Sequence, residues 1–234
     1  MSRQSIIDKV KTAGLVPMPV YGHTHDMTVQ ALHDGIPGCL VECGVFAGAQ
    51  VAVMALAQQE AGYDRKVHLF DSFEGIPEAG PMDDEQPGIG YVEPEKRHGR
   101  LITSGVSACS VERVTENLER WGVDMRTTVF HVGWFQDTVP GWDGGPIALL
   151  RLDGDLYEST KVCLEHLYPH LSPGGVLIID DYTLTGCHVA VNQYFGSNMP
   201  RFREVPGGDG CFWTVKPNDQ GHGRRTVAPN ESDG

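Results

Sequence analysis

Two short apolar runs that end in carboxylates constrain the fold of this chain more than any other feature. Ile147-Ala148-Leu149-Leu150 leads to Asp153 and Asp155, and Val176-Leu177-Ile178-Ile179 leads directly to Asp180 and Asp181. Apolar runs of this length without polar alternation fit strands that are covered on both faces, as in a parallel sheet. In open α/β sheets, ligands bind outside the carboxyl ends of the strands. Acids delivered there by two strands predict hard oxygen donors converging on a cation.

The rest of the chain alternates in the same way. Helical periodicity covers Ser5–Ala13, and Met27–His33 after a Pro17-Met18-Pro19 break, with Tyr21–Asp26 as a polar loop between them. In that loop His23-x-His25 reads as solvated histidines rather than a ligand pair. Strands follow at Cys39–Gly44, Lys66–Asp71 and Thr127–Val132, with helices at Ala49–Gln59, Ser110–Trp121, Ser159–Leu171 and Gly186–Phe195. Arg201–Val205 and Cys211–Val215, joined across Pro206-Gly207-Gly208-Asp209-Gly210, read as a hairpin. Strands alternating with helices predict an α/β fold: one doubly wound, mostly parallel sheet with helices on both faces and an antiparallel C-terminal hairpin. Residues 78–108, rich in Gly, Pro and acid, read as a lid loop, and 217–234 as a loose tail.

Composition narrows the partners. A net charge of −13 without any Lys/Arg block argues against nucleic acid and anionic membranes. The N-terminus lacks a signal-like apolar stretch and no run is long enough to span a membrane, so the expected location is cytoplasmic. The six cysteines are dispersed without a C-x-x-C pair, which predicts reduced, mostly buried thiols.

The first strand-to-helix turn, Glu42-x-Gly44-x-x-x-Gly48, is close to a dinucleotide fingerprint but carries an acid. Gly44 and Gly48 let backbone approach a ligand. Glu42 repels a pyrophosphate and welcomes an amine. Asp71, at the end of the second strand and about twenty residues after Gly48, is placed to accept ribose hydroxyls. An amine and a ribose together point to S-adenosylmethionine. Trp134, Phe135 and Gln136, leaving the third strand, offer an aromatic face and an amide to an adenine ring, or else simply pack in the core. Asp153, Asp180 and Asp181 suit Mg²⁺, which keeps open positions for substrate. A cation that acidifies a bound hydroxyl, with Asp153 as ligand and proton acceptor, predicts methyl transfer to oxygen, and a vicinal diol such as a sugar or catechol is the fitting acceptor.

At these residues the chain resembles the macrocin O-methyltransferase family. The blocks LVECGVFAGA, HLFDSFEGIP, HVGWFQDTVP, LLRLDGDLYEST and SPGGVLIIDDY carry the resemblance, over roughly residues 27–215. It implies a Rossmann-like class I methyltransferase that uses Mg²⁺ and S-adenosylmethionine to methylate sugar hydroxyls on antibiotics. By motif, Glu42 and Gly44 hold the methionine end, Asp71 with Ser72 the ribose, and Phe135 and Gln136 the adenine. Asp153, Asp180 and Asp181 hold the metal, with Asp153 as general base. The chain divides into residues 1–35, an N-terminal helical segment that by the resemblance lies on the acceptor side, and 36–216, the methyltransferase domain; the resemblance also favours a homodimer. His188 stands where the family has a basic residue and is a candidate second base, though a histidine on a helix surface is the commoner case. The rival readings are a nicotinamide oxidoreductase, which the acid at Glu42 disfavours, a catechol-type enzyme, and a non-catalytic binding protein.

Overall fold

Every residue of Cys39–Cys43 (β1) and Ile147–Leu152 (β4) is buried, as the unbroken apolar runs require. These strands form the middle of the sheet in the computed structural model, which describes residues 1–84, 89–90 and 101–218. The remaining strands are Val67–Asp71 (β2), Thr128–Val132 (β3), Leu171–Ile179 (β5), Arg203–Glu204 (β6) and Phe212–Val215 (β7). Their order is β3-β2-β1-β4-β5-β7-β6. β1 to β5 pair in parallel, and β7 and β6 add an antiparallel edge. The expected doubly wound sheet with its closing hairpin is therefore present. Strand order reverses between β1 and β4, the switch point where this class of sheet opens a ligand crevice.

The helices are Arg3–Val10 (α1), Met18–His33 (α2), Ala49–Glu60 (α3), Val111–Trp121 (α4), Phe135–Thr138 (α5), Tyr157–Leu167 (α6) and Thr185–Phe195 (α7). Ile6, Val10, Val20, Val51, Val114 and Leu118 gather on one face with Leu40, Leu149 and Ile178, so α1 to α4 cover that face. Cys163, Leu164, Leu167, Cys187 and Val191 pack against Val41, Leu150 and Leu177 on the other. Ala49 to Gln58 are all buried, since α3 is apolar all round and lies between the sheet and α1 and α2. The N-terminal helices thus belong to the same core as the sheet.

Two local expectations change. Tyr21–Asp26 is not a loop but the middle of α2, because Pro19 falls in the first helical turn, where its missing N–H costs nothing. His23 consequently packs against Trp213 at a ring separation of 5.1 Å. The strand expected to begin at Val176, after a helix ending at Leu171, instead starts at Leu171, with Ser172-Pro173-Gly174-Gly175 as an irregularity inside β5 between the pairs Ile147↔Leu171 and Leu149↔Val176. All six cysteines are free, and all but Cys109 are buried. Among the described residues no helix is long and apolar enough to cross a membrane.

Gly44 is fixed by its surroundings. Its φ is +90°, and a Cβ there would run into the carbonyl of Asp153, whose N–H donates to Cys43 O at 2.8 Å. Gly122, the C-cap of α4, has a similar φ of +86° but open space around it. Gly122→Ala is expected to cost only the left-handed strain of about 1–2 kcal/mol. Gly44→Ala adds a main-chain collision and is expected to lose more than about 3 kcal/mol in urea denaturation. Equal losses would contradict this packing.

Candidate functional site at the switch point

Glu42 on β1 and Arg151 on β4 are register partners on the face covered by α1 to α4. Arg151 is fully buried, and a buried guanidinium must be paired. Its Nη1 donates to Glu42 Oε1 at 2.9 Å and to Asp153 Oδ2 at 2.7 Å, and its Nη2 donates to Asp180 Oδ1 at 2.6 Å. One arginine thus ties together the ends of β1, β4 and β5. Burial works against its charge, but Asp180, Asp153 and Glu42 outweigh that and hold its pKa above the ordinary value. Burial raises Glu42 to about 8, with Arg151 pulling the other way.

A cavity opens above these strand ends. Glu42, Gly44, Asp71, Ser72, Phe135, Gln136, Asp153, Asp180 and Asp181 all line it, so most of the sequence-predicted residues do converge. Trp134, Phe135 and Gln136 form one wall at the start of α5. Asp71 also has a structural task. Its Oδ2 accepts from the Val45 and Phe46 N–H groups at 2.7 and 3.1 Å, and its Oδ1 accepts from Phe73 N–H at 2.7 Å. A carboxylate has about four acceptor sites, so one of them is left over for a ligand hydroxyl. Ser72 Oγ closes its own turn, donating to Gly75 O and accepting from Glu74 N–H, both at 3.1 Å.

Two expected residues lie elsewhere. Gly48 is the N-cap of α3 and faces Val114 and Leu118 of α4, outside the cavity lining. Its small size serves helix packing rather than a ligand. His188 is exposed on α7 with its ring edge-on to Tyr182 at 5.0 Å, and it too is absent from the lining.

The acids arrange themselves differently from a plain triad. Asp153, Asp155 and Asp181 each offer an oxygen, and these oxygens all lie within 4.8 Å of one another. Asp155 has φ +56°, and its N–H donates to Asp181 Oδ2 at 3.0 Å. Asp180 lines the same cavity but is engaged by Arg151 and by the Cys211 thiol. Burial and neighbouring acids raise Asp155 to about 7 and Asp181 well above its usual value; burial raises Asp180 to about 6 despite Arg151. Closely spaced hard oxygens, of which only those of Asp153 have a cationic partner in Arg151, are the donor set that a small divalent cation suits. Sequence reasoning passed over Arg151 and gave Asp155 no ligand role. The available signal was an arginine inside an apolar run, which demands acids nearby.

The described ends of the 78–108 stretch cross this region. Asp83 Oδ1 accepts from Tyr157 N–H at 2.7 Å at the start of α6, and Asp84 bonds Thr185 at the start of α7. Residues 85–88 and 91–100 of the expected lid, and 219–234 of the expected tail, lie outside the described residues.

Residues 21–199 match the family model of the macrocin O-methyltransferases (TylF). The chain belongs to the macrocin O-methyltransferase family. The 8-demethyl-8-(2,3-dimethoxy-alpha-L-rhamnosyl)-tetracenomycin-C 4'-O-methyltransferase of Streptomyces olivaceus is 43% identical over 186 residues, 78% of this chain and 67% of that protein. The mycinamicin III 3''-O-methyltransferase of Micromonospora griseorubida is 37% identical over 165 residues, 70% of this chain and 63% of that protein. The solved O-methyltransferase NovP superposes with a TM-score of 0.72 at 29% identity, covering 86% of this chain and 81% of NovP.

The raised acids of this macrocin O-methyltransferase family member give a signed prediction. Between the ordinary value of 3.8 and about 7 for Asp155, or about 6 for Asp180, the folded state binds more protons than the unfolded one. Stability contributed by these groups therefore falls as pH rises through that window. The metal-free protein is expected to melt at a higher temperature at pH 5.5 than at pH 8. Millimolar Mg²⁺ is expected to raise Tm at pH 8 and to change it little at pH 5.5, as read by calorimetry. A melt at pH 8 that ignores Mg²⁺ would contradict the cation site.

Proposed function

We propose that this chain is a cation-dependent O-methyltransferase that moves a methyl group from S-adenosylmethionine to a hydroxyl of a sugar, or a similar vicinal diol, on a natural product. The observation that carries this reading is the adjacency, in one cavity, of a buried Glu42 and an acid nest at Asp153, Asp155 and Asp181. Family membership and the sugar-directed names of two relatives support the acceptor class.

Glu42 would hold the cofactor's ammonium, Asp71 its ribose, and Phe135 with Gln136 its adenine. Asp153, Asp155 and Asp181 would hold Mg²⁺, with Asp180 at the edge of the group under Arg151's control. When bound, the cofactor supplies a methyl activated by its sulfonium, and the cation supplies charge that acidifies a hydroxyl. Asp153 takes the hydroxyl proton on the oxygen opposite the one held by Arg151. Because Arg151 fixes that carboxylate from behind, the base is positioned before substrate arrives. His188, exposed on α7, is left out of this scheme. Asp83 and Asp84 tie the described start of the 78–108 stretch to α6 and α7 beside the cavity.

Labelled S-adenosylmethionine, Mg²⁺ and a panel of deoxysugar glycosides and catechols, with and without EDTA, test this reading. Transfer to glycosides that EDTA abolishes is expected; transfer that ignores EDTA sinks the cation mechanism, and preference for catechols moves the acceptor class. Asp153→Asn is expected to lower kcat by at least about 10²-fold while leaving the affinity for cofactor product within a few-fold. Loss of cofactor affinity instead would mean that Asp153 serves the other end of the cavity.

A further inference from the structure

Two helices that start beside the acid nest have no cap of their own. The N-cap of α6 is Leu156 and that of α7 is Leu184, and neither makes a side-chain cap bond. Leucine offers no acceptor to the open N–H groups of a first helical turn, whereas aspartate satisfies them well. Here the aspartates come from elsewhere in the chain. Asp83 Oδ1 accepts from the N–H of Tyr157, the first residue of α6, at 2.7 Å. Its Oδ2 accepts from Gly80 N–H at 2.8 Å and so closes its own turn. Asp84 bonds the hydroxyl of Thr185, the first residue of α7. Gly186 makes room for this contact, since a Cβ on it would strike Asp83 Oδ1 and crowd Tyr157 N.

The segment that carries these acids leaves from another wall of the cavity. Ile76 and Pro77 line it, and the chain there is fastened by Ser104 N–H to Ile76 O at 2.9 Å and by Glu78 N–H to Ile102 O at 2.8 Å. Residues 80–84 thus form a strap from the exit of β2 to the starts of α6 and α7, the helices that follow β4 and β5. At the far end of the strap is the turn that carries Asp155. Asp155 stands two residues before Tyr157 and has φ +56°, a left-handed conformation that a non-glycine residue keeps only where its neighbours hold it. On one side its N–H donates to Asp181 Oδ2 at 3.0 Å. On the other, Asp83 pins the backbone at Tyr157.

We propose that Asp83 is a positioning residue for the cation: seated against Gly186 and capping α6, it holds the turn that brings Asp155 beside Asp153 and Asp181. The proposal rests on the reading of those three acids as a Mg²⁺ site. It makes cation affinity depend on a residue that is not itself a ligand, and it links docking of the strap to assembly of the site.

Mn²⁺ titration followed by the electron paramagnetic resonance of the free ion tests this without turnover, with S-adenosylhomocysteine affinity measured by calorimetry alongside. Asp83→Ala removes the cap. Asp83→Asn keeps an acceptor oxygen for Tyr157 N–H but not the charge. Gly186→Ala keeps the charge but fills the seat, with a residue that favours the helix itself. Asp83→Ala and Gly186→Ala are each expected to weaken Mn²⁺ by about fivefold or more, the worth of one hydrogen bond. Asp83→Asn is expected to stay within about twofold of wild type for Mn²⁺, and all three variants within about twofold for S-adenosylhomocysteine. A loss in Asp83→Asn as large as in Asp83→Ala, or an unchanged Gly186→Ala, means that Asp83 acts by its charge alone and overturns the proposal. A parallel loss of Mn²⁺ and S-adenosylhomocysteine marks a general loss of structure and also overturns it. A wild-type protein that binds Mn²⁺ with all variants unmoved overturns this proposal and leaves the proposed function standing; a wild-type protein that binds no Mn²⁺ overturns both.

Discussion

The buried guanidinium of Arg151 is the contact on which the architecture of the cavity depends. The strand ends of β1, β4 and β5 each present a carboxylate, and without a counter-charge Glu42, Asp153 and Asp180 would repel one another in a medium that screens them poorly. Arg151 answers all three through its two terminal nitrogens. The planar fork matters here, since a lysine could offer only a point charge. Losing one partner of such a buried group typically costs about 3–5 kcal/mol, because the charges left behind are stranded. The network is thus as much a restraint on strand-end geometry as a source of stability.

From that restraint the two halves of the cavity follow. On one side Arg151 takes a single oxygen of Glu42 and leaves the other facing the cavity among Tyr21 and Gln50. On the other it takes one oxygen each of Asp153 and Asp180, and the remaining acid group gathers around Asp153, Asp155 and Asp181. A cationic cofactor end and a divalent cation would therefore be neighbours across one arginine. The aromatic wall at Trp134 and Phe135 comes from the exit of β3, the edge strand on the far side of β2 from β1.

The sheet was legible because both-face burial writes itself as unbroken apolar runs, and the alternation with helices leaves few topologies open. The convergence of Glu42, Asp71, Phe135, Gln136 and the aspartates was legible for the same reason, since strand ends in such a sheet meet at one edge. What the pattern hid was what each polar group already does for the protein. Asp71 ties the turn after β1 to β2, Gly44 makes room for a carbonyl of β4, and Gly48 makes room for α4. Tyr21 carried no signal, because Pro19 looked like a break although it begins α2. Gln50 was hidden inside an apolar helix, where a polar residue can be read only once its empty surroundings are known.

The claim that a divalent ion sits in this aspartate nest beside the methyl donor has one direct test. A crystal grown with Mn²⁺ and S-adenosylhomocysteine, measured at the manganese absorption edge, should show one anomalous peak at bonding distance, about 2.0–2.4 Å, from carboxylate oxygens of Asp153 and Asp181. The homocysteine end should lie against Glu42. An anomalous peak elsewhere, or no peak with these side chains turned apart, would contradict the account.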